Sequence, residues 1–112
     1  MMKAQQKPTN EEKALRFLIL NPQGFSEREA VFSLNFTSGR NYINTAEKLL
    51  DVRFKREWEK TADGQGQYYR YSCPDRHTAE KVIRHLNAKS ALRGEIAISP
   101  AQAESILQRF TD

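Results

Sequence analysis

Cysteine is almost absent from this chain, since Cys73 is the only one among 112 residues. A single cysteine excludes an internal disulfide and a multi-cysteine metal site, and it favours a reducing compartment. No apolar run approaches the roughly 20 residues of a membrane-spanning helix, and the start MMKAQQKPTN lacks the apolar segment of a secretory signal. These absences predict a cytoplasmic protein without membrane contact.

Charge of one sign is not concentrated in any part of the sequence. The net charge is +4 and the isoelectric point is about 9.4. Residues 1–50 hold seven Lys or Arg against five Asp or Glu, residues 51–74 five against four, and residues 75–112 six against five. Basic charge favours polyanionic partners, but an even spread supports nucleic-acid binding only weakly.

Catalytic motifs are missing as well. The sequence has no Gly-rich phosphate loop, H-E-x-x-H or G-x-S-x-G. His77 and His85 are eight residues apart on a predicted helix, and Cys73 near His77 does not by itself make a nucleophile–base pair. Glu57 and Glu59 alternate on a predicted strand, as residues of a solvated face do. We therefore expect no enzymatic activity, no cofactor and no metal site.

The chain does contain a series of helix start signals within a length typical of one domain. Residues 1–9 are polar and predict a disordered arm. Asn10 can cap a first helix, which should end before Pro22. Ser26 and Glu29 then have the S-x-x-E spacing of a capping box, which predicts a short second helix.

A third helix follows a turn that contains glycine, and it divides into an apolar and a polar face. Thr37 or Ser38 can cap this helix, and Ile43 and Ala46 recur on its apolar face. Its other face presents hydrogen-bonding side chains: Arg40, Asn41, Asn44, Thr45 and Lys48.

The next segment predicts a β-hairpin. Residues 52–59 place Phe54 and Trp58 on one side and charged side chains on the other, which is the period of a strand. Asp63-Gly64 predicts a turn, and YYRYS predicts the returning strand. Polar side chains of this hairpin are Lys60, Gln65, Gln67 and Arg70.

The tyrosines of the returning strand have two interpretations. Aromatic platforms stack on the bases of single strands, and alternation places Tyr69 and Tyr71 on one face and Tyr68 on the other. Such a cluster more often packs a small sheet onto helices, and Trp58 needs partners of that kind. We expect core packing.

The order helix, helix, helix, strand, loop, strand over residues 10–73 resembles the winged helix-turn-helix family of DNA-binding proteins. The resemblance implies an α+β, mostly helical fold, a winged helix of three helices plus a hairpin wing. It implies that the third helix enters the major groove of double-stranded DNA. The residues that would read bases are Ser38, Arg40, Asn41, Asn44, Thr45 and Lys48. Wing residues Lys60, Gln65, Gln67 and Arg70, together with the arm, would contact the DNA backbone or the minor groove.

Residues 74–112 predict two further helices. Asp75 can cap the first, and Ser99, Pro100 and Gln102 form the start signal of the second. Their apolar stripes can complete the monomer core or pair with a second copy. We favour a homodimer, because dimers place two recognition helices in successive major grooves.

These features predict a small bacterial, phage or plasmid transcriptional regulator that binds specific double-stranded DNA. The alternative is a winged-helix protein-interaction module, or a subunit of a replication or partition complex, without direct base reading. The even charge and the acidic residue Asp63 at the hairpin tip support that alternative. A plain solvated surface is the other interpretation of the polar faces of the third helix and the hairpin.

Overall fold

The computed structural model describes residues 8–32 and 39–110. These residues include five helices and three short strands. Residues 1–7 of the predicted arm, and Thr37 and Ser38 before the third helix, lie outside these ranges. None of the helices in them has the length and apolar character that crossing a bilayer requires. The elements of this α+β fold are, in order, α1 (Asn10–Leu20), β1 (Phe25–Ser26), α2 (Glu27–Phe32), α3 (Gly39–Leu50), β2 (Lys55–Lys60), β3 (Gln67–Ser72), α4 (Arg76–Ala91) and α5 (Pro100–Leu107).

Helix α1 begins at Asn10, the residue that the sequence predicted as its cap, and therefore starts one residue earlier than expected. Thr9 is the cap: its hydroxyl accepts the Glu12 N–H, and the Glu12 carboxylate accepts the Thr9 N–H. Asn10 was the wrong choice, because the reciprocal bonds need an acid three residues after the cap, and only Thr9 has one at Glu12. The end of α1 before Pro22 is confirmed.

The predicted start signals of α4 and α5 are confirmed. Asp75 accepts the Thr78 N–H at the start of α4. Ser99 and Gln102 form a capping box at the start of α5. Each of these signals works through neighbours three residues away, which is why the sequence alone located them.

A two-residue strand that the sequence did not predict lies between α1 and α2. Phe25 pairs with Tyr71 and Ser26 with Arg70, so β1 joins a three-stranded antiparallel sheet of order β1-β3-β2. The capping box of α2 is confirmed at the same place, since Ser26 and Glu29 exchange two hydrogen bonds of 3.0 Å.

Strand β2 starts at Lys55, so the prediction of a strand from residue 52 was wrong at that end. Asp51 has a φ of 55°, which turns the chain sharply after α3. The Phe54 N–H then donates to Glu47 Oε2 at 2.9 Å, which leaves this donor unavailable to a neighbouring strand. Residues 52–54 therefore form a connection that is anchored on α3.

A single apolar core joins the sheet to α1, α3, α4 and α5. Ile106 and Phe110 of the C-terminal segment are buried in the same cluster as the rest of the core. The C-terminal helices thus complete the core of the monomer, one of the two alternatives that their stripes allowed; a homodimer stays a prediction. Apart from alanines, the apolar side chains of the core that are at most 2% exposed are Leu15, Leu18, Ile19, Phe25, Ile43, Tyr71, Val82, Leu86 and Ile98.

Gly24 is predicted to be required where β1 meets β3. Its φ is +70°, and a Cβ there would overlap the Tyr71 carbonyl oxygen. The left-handed conformation and the overlap should together lower the free energy of unfolding of Gly24→Ala by about 3 kcal/mol. Gly64→Ala is the matched control, because Gly64 has a φ of +75° in open space and should lose only about 1 kcal/mol. Equal losses in urea denaturation would contradict this account.

Candidate nucleic-acid interface

The outward side of α3 presents one continuous polar surface, which we call the α3 face. Helical periodicity places it opposite Ile43 and Ala46, which are completely buried. Ser38, the remaining residue predicted for this surface, lies outside the described part of the chain. The structure brings the other five together, and all are exposed: Arg40, Asn41, Asn44, Thr45 and Lys48.

Arg40 is held only loosely by its own chain. Its side chain is 61% exposed, and its Nε lies 4.0 Å from Glu27 Oε2. The guanidinium also lies beside the Tyr71 hydroxyl; burial and the Glu27 carboxylate raise the pKa of Tyr71, and Arg40 opposes them. An exposed ion pair of this length contributes little. Arg40 can therefore exchange its contact with Glu27 for an external acceptor.

A shielded ion pair, the Glu47–Arg56 clamp, fixes the hairpin against α3. Arg56 Nη1 donates to Glu47 Oε2 and Nη2 to Oε1, both at 2.8 Å. The Arg56 side chain is 25% exposed and that of Glu47 is 12% exposed. Arg56 Nη2 also reaches Asn44 Oδ1 at 3.3 Å, and the guanidinium lies 5.4 Å from the centre of the Tyr71 ring. The clamp thus joins α3, β2 and β3.

The ionisation of Glu47 reflects this arrangement. Burial raises the pKa of Glu47, but the Arg56 guanidinium and the Phe54 N–H stabilise the carboxylate more strongly. The resulting pKa lies below its ordinary value, so the clamp is charged at neutral pH.

The tip of the hairpin, residues 61–66, is shaped by a carboxylate. Asp63 Oδ1 accepts the Thr61 hydroxyl at 2.5 Å and the Gln65 N–H at 3.0 Å, and these bonds lower the pKa of Asp63. The side chains of Lys60, Gln65 and Gln67 are exposed around this turn. Asp63, the acidic residue that favoured the alternative without base reading, is therefore part of what folds the tip.

Arg70 differs from the other predicted hairpin residues because its own chain occupies it. Its side chain is 20% exposed, with Nε 2.9 Å from Glu59 and Nη2 3.1 Å from Glu29. Nη1 donates to the Gln23 and Gly24 carbonyl oxygens. Burial lowers the pKa of Arg70, but the two carboxylates outweigh it and raise the pKa above its ordinary value. Arg70 ties β3 to β2 and α2, and it has little left to offer a phosphate.

Two aromatic side chains of the hairpin form an exposed pair that the expectation of core packing did not include. Trp58 and Tyr69 face each other across β2 and β3, with ring centroids 3.9 Å apart at an interplanar angle of 27°. Core packing is confirmed for Tyr71, which is 1% exposed, and Tyr69 packs against the core as the partner of Trp58. Trp58 itself is 60% exposed. Alternation gives the face of a strand residue but not where the core ends along the strand.

Charges of both signs surround the α3 face. A surface depression of about 510 Å³ lies beside the C-terminal half of α3. It is lined by Lys48 and Arg53, but also by Glu47 and Asp51. Any polyanion that binds here must therefore find specific hydrogen-bond donors, since the local net charge is small.

The residues weighed for catalysis lie in unrelated settings. Burial raises the pKa of the Cys73 thiol to about 12, and a protonated thiol is a poor nucleophile. His85 Nε2 lies 3.5 Å from Glu11 Oε1, and Glu57 lies 3.5 Å from Lys55. Across residues 8–32 and 39–110, no three His, Cys, Asp or Glu side chains come together in a group that could hold a metal ion.

Comparison with known proteins assigns a family to nearly the whole chain. Residues 10–112 match a family described as "Uncharacterised protein PM1773". The match includes the α3 face and the complete hairpin. No curated protein and no solved structure matches the chain. Because the description of the family names no ligand or reaction, the function has to be argued from the geometry.

The clamp makes stability depend on pH in a defined direction. Because the pKa of Glu47 is lowered on folding from 4.5, its stabilisation is present above that pH and is lost as the pH falls through the folded pKa. Glu47→Gln should lower the free energy of unfolding by about 2 kcal/mol at neutral pH. The difference from the wild type should shrink at about pH 3.

The control for this prediction is the exposed Glu57, whose partner is Lys55. Glu57→Gln should change the free energy of unfolding by less than about 0.5 kcal/mol at either pH. Urea denaturation of all three proteins provides the measurement. A Glu47→Gln deficit of the same size at both pH values would show that the charge on Glu47 is not what holds the hairpin.

Proposed function

We propose that the chain, which belongs to the PM1773 family of uncharacterised proteins, binds specific sequences of double-stranded DNA as a winged-helix protein. In this proposal α3 is the recognition helix and the hairpin is the wing. The protein acts as a small transcriptional regulator. The observation that carries the proposal is the exposed α3 face, which the Glu47–Arg56 clamp fixes beside the hairpin.

The order of the elements supports the winged-helix assignment. Three helices, α1 to α3, precede the hairpin, and β1 between α1 and α2 adds a third strand to it. In the proposal, α2 and α3 are the two helices of a helix-turn-helix. The polar side of the third helix is directed away from the core, as a recognition helix requires.

The chemistry of the α3 face suits the edges of bases in the major groove. Arginine can donate two hydrogen bonds to guanine, and asparagine can bond adenine through both its donor and its acceptor. Arg40 and Asn41 are exposed for such contacts, and Lys48 can reach a phosphate. Asn44 is partly engaged with Arg56, which orients its amide rather than burying it.

In the proposal, the hairpin adds contacts to the DNA backbone to those that the recognition helix α3 makes with bases. Lys60, Gln65 and Gln67 are exposed donors around the tip, and phosphate contacts of this kind fix position without reading sequence. Arg70 is left out of the proposed contact set because Glu29 and Glu59 hold it. The proposed wing therefore uses three of the four residues that the resemblance implied.

A homodimer remains part of the proposal, because two α3 helices about 34 Å apart would read successive grooves. The apolar stripes of α4 and α5 are used inside the monomer. A dimer contact would therefore involve other surfaces of the C-terminal segment, where Leu92 and Ile96 are exposed.

A second candidate is a protein-interaction module, or a subunit of a replication or partition complex, that reads no bases. It is favoured by one observation: Arg56 and Arg70 are neutralised by carboxylates of their own chain. Fluorescence polarisation with random duplex at two salt concentrations separates the candidates. Binding that weakens steeply with salt supports the regulator, whereas no binding at low salt supports the module.

Arg40 and Asn44 are predicted to determine base preference. Selection of bound sequences from a random DNA library should give a defined site for the wild type. For that site Arg40→Ala should lose about tenfold or more in affinity, and Asn44→Ala should accept more bases at one position. Lys89→Ala, on the exposed side of α4, is the control and should select the wild-type site. An unchanged site in both α3 variants would show that this face does not read DNA.

Lys60 is predicted to contribute a contact that is independent of sequence. Lys60→Ala should weaken binding to all duplexes by a similar factor and reduce the slope of log K against log salt by about 1. Lys89→Ala should leave the slope unchanged. A slope that Lys60→Ala does not alter would remove the tip of the hairpin from the DNA interface.

A further inference from the structure

Trp58 and Tyr69 form an exposed aromatic stack at the outer end of a continuous series of rings. Phe17, Phe25 and Tyr71 lie in edge contacts with centroids 6.1–6.2 Å apart, and Tyr69 lies 6.1 Å from Tyr71. Trp58 ends the series. Tyr69 covers one side of its indole, and the residue as a whole is still 60% exposed. The stack is therefore supported from the core on one side and open to solvent on the other.

The carboxylates of the two hairpin strands lie on one face only. In β2 and β3, residues alternate between the two faces, and the pairing register places the same face together on both strands. Both strand carboxylates, Glu57 and Glu59, are on the face away from α3. The face toward α3 carries Arg56, Trp58, Lys60, Gln67, Tyr69 and Tyr71.

This arrangement makes the surroundings of Trp58 suitable for a polyanion. Lys60 follows Trp58 toward the tip, about 7 Å away along the strand, and is exposed. Arg56, two residues before Trp58, is held by Glu47 and leaves Lys60 as the available cation. The Glu27 carboxylate accepts the Tyr69 N–H at 3.1 Å and so supports the strand backbone. A flat apolar surface next to an exposed cation is the combination that binds nucleobases along a phosphate backbone.

A stacking surface of this kind needs a base whose own face is free. In closed duplex DNA both faces of each base are covered by neighbours, so the indole has no partner there. An unpaired base at a bubble or a bulge offers its face at a low cost in stacking energy. The exposure of Trp58 disfavours a purely structural role, because packing of the two rings across the strands still leaves most of Trp58 in contact with solvent.

We propose that Trp58 and Tyr69 form a stacking site for an unpaired nucleobase, so that the protein binds DNA with locally separated strands more tightly than closed duplex. The inference rests on the proposed function, since the α3 face supplies the contact with the adjoining duplex. The favoured DNA is then a site whose strands are separated next to the recognition helix, rather than a fully paired duplex.

The test compares two fluorescein-labelled DNAs of the same random flanking sequence, one closed and one with a central bubble of unpaired thymines. The wild type should bind the bubble about tenfold more tightly, as the stacking of one base predicts. Trp58 is the only tryptophan, so its intrinsic fluorescence reports directly on stacking. The bubble should quench this fluorescence, and the closed duplex should not.

Variants separate stacking from folding. Trp58→Ala should lose the preference for the bubble and keep its affinity for closed duplex, while Trp58→Phe should keep part of the preference. Tyr68→Ala, on the opposite face of the same strand, is the matched control and should behave as the wild type.

Two outcomes overturn the inference in different ways. Equal binding of both DNAs without quenching refutes the stacking site and leaves DNA binding by the α3 face intact. No binding of either DNA at low salt refutes the stacking site together with the proposed function.

Discussion

The ion pair between Glu47 and Arg56 is the interaction on which the candidate interface depends. Without it, the hairpin would be joined to α3 mainly through the packing of Tyr71 and the connection at residues 51–54. Two hydrogen bonds of 2.8 Å between shielded groups fix both distance and angle. The same carboxylate accepts the Phe54 N–H, so Glu47 also determines where β2 begins. Glu47 of α3 thus fixes the position of the hairpin beside α3.

Two arginines of the hairpin strands, Arg56 and Arg70, serve the fold. Both are held by carboxylates of their own chain, whereas Arg40, Lys48, Arg53 and Lys60 are exposed on or beside the α3 face and near the hairpin tip. Recognition with so few charges has to rely on directional hydrogen bonds and on aromatic contact. The exposed Trp58 supplies the second of these, and its support by Tyr69 keeps the ring in place.

The sequence predicted the features that depend on near neighbours. Capping boxes at Ser26 and Ser99 involve residues three positions apart, and the α3 face follows from helical period alone. Strand β1 was missed because two residues carry no periodicity and its partner, β3, lies far along the chain. Arg70 was assigned to DNA because its partner Glu29 comes from another element, which only the tertiary structure brings near. The exposure of Trp58 depends in the same way on where the core stops.

The most direct test of the account is a titration of isotopically labelled protein with random duplex DNA at low salt, followed by amide NMR. We predict that changes in chemical shift concentrate in residues 39–50 and 55–69, whereas the signals of α4 and α5 do not shift. Changes confined to α4 and α5, or no changes at all, would contradict the claim that α3 and the hairpin form a DNA-binding surface.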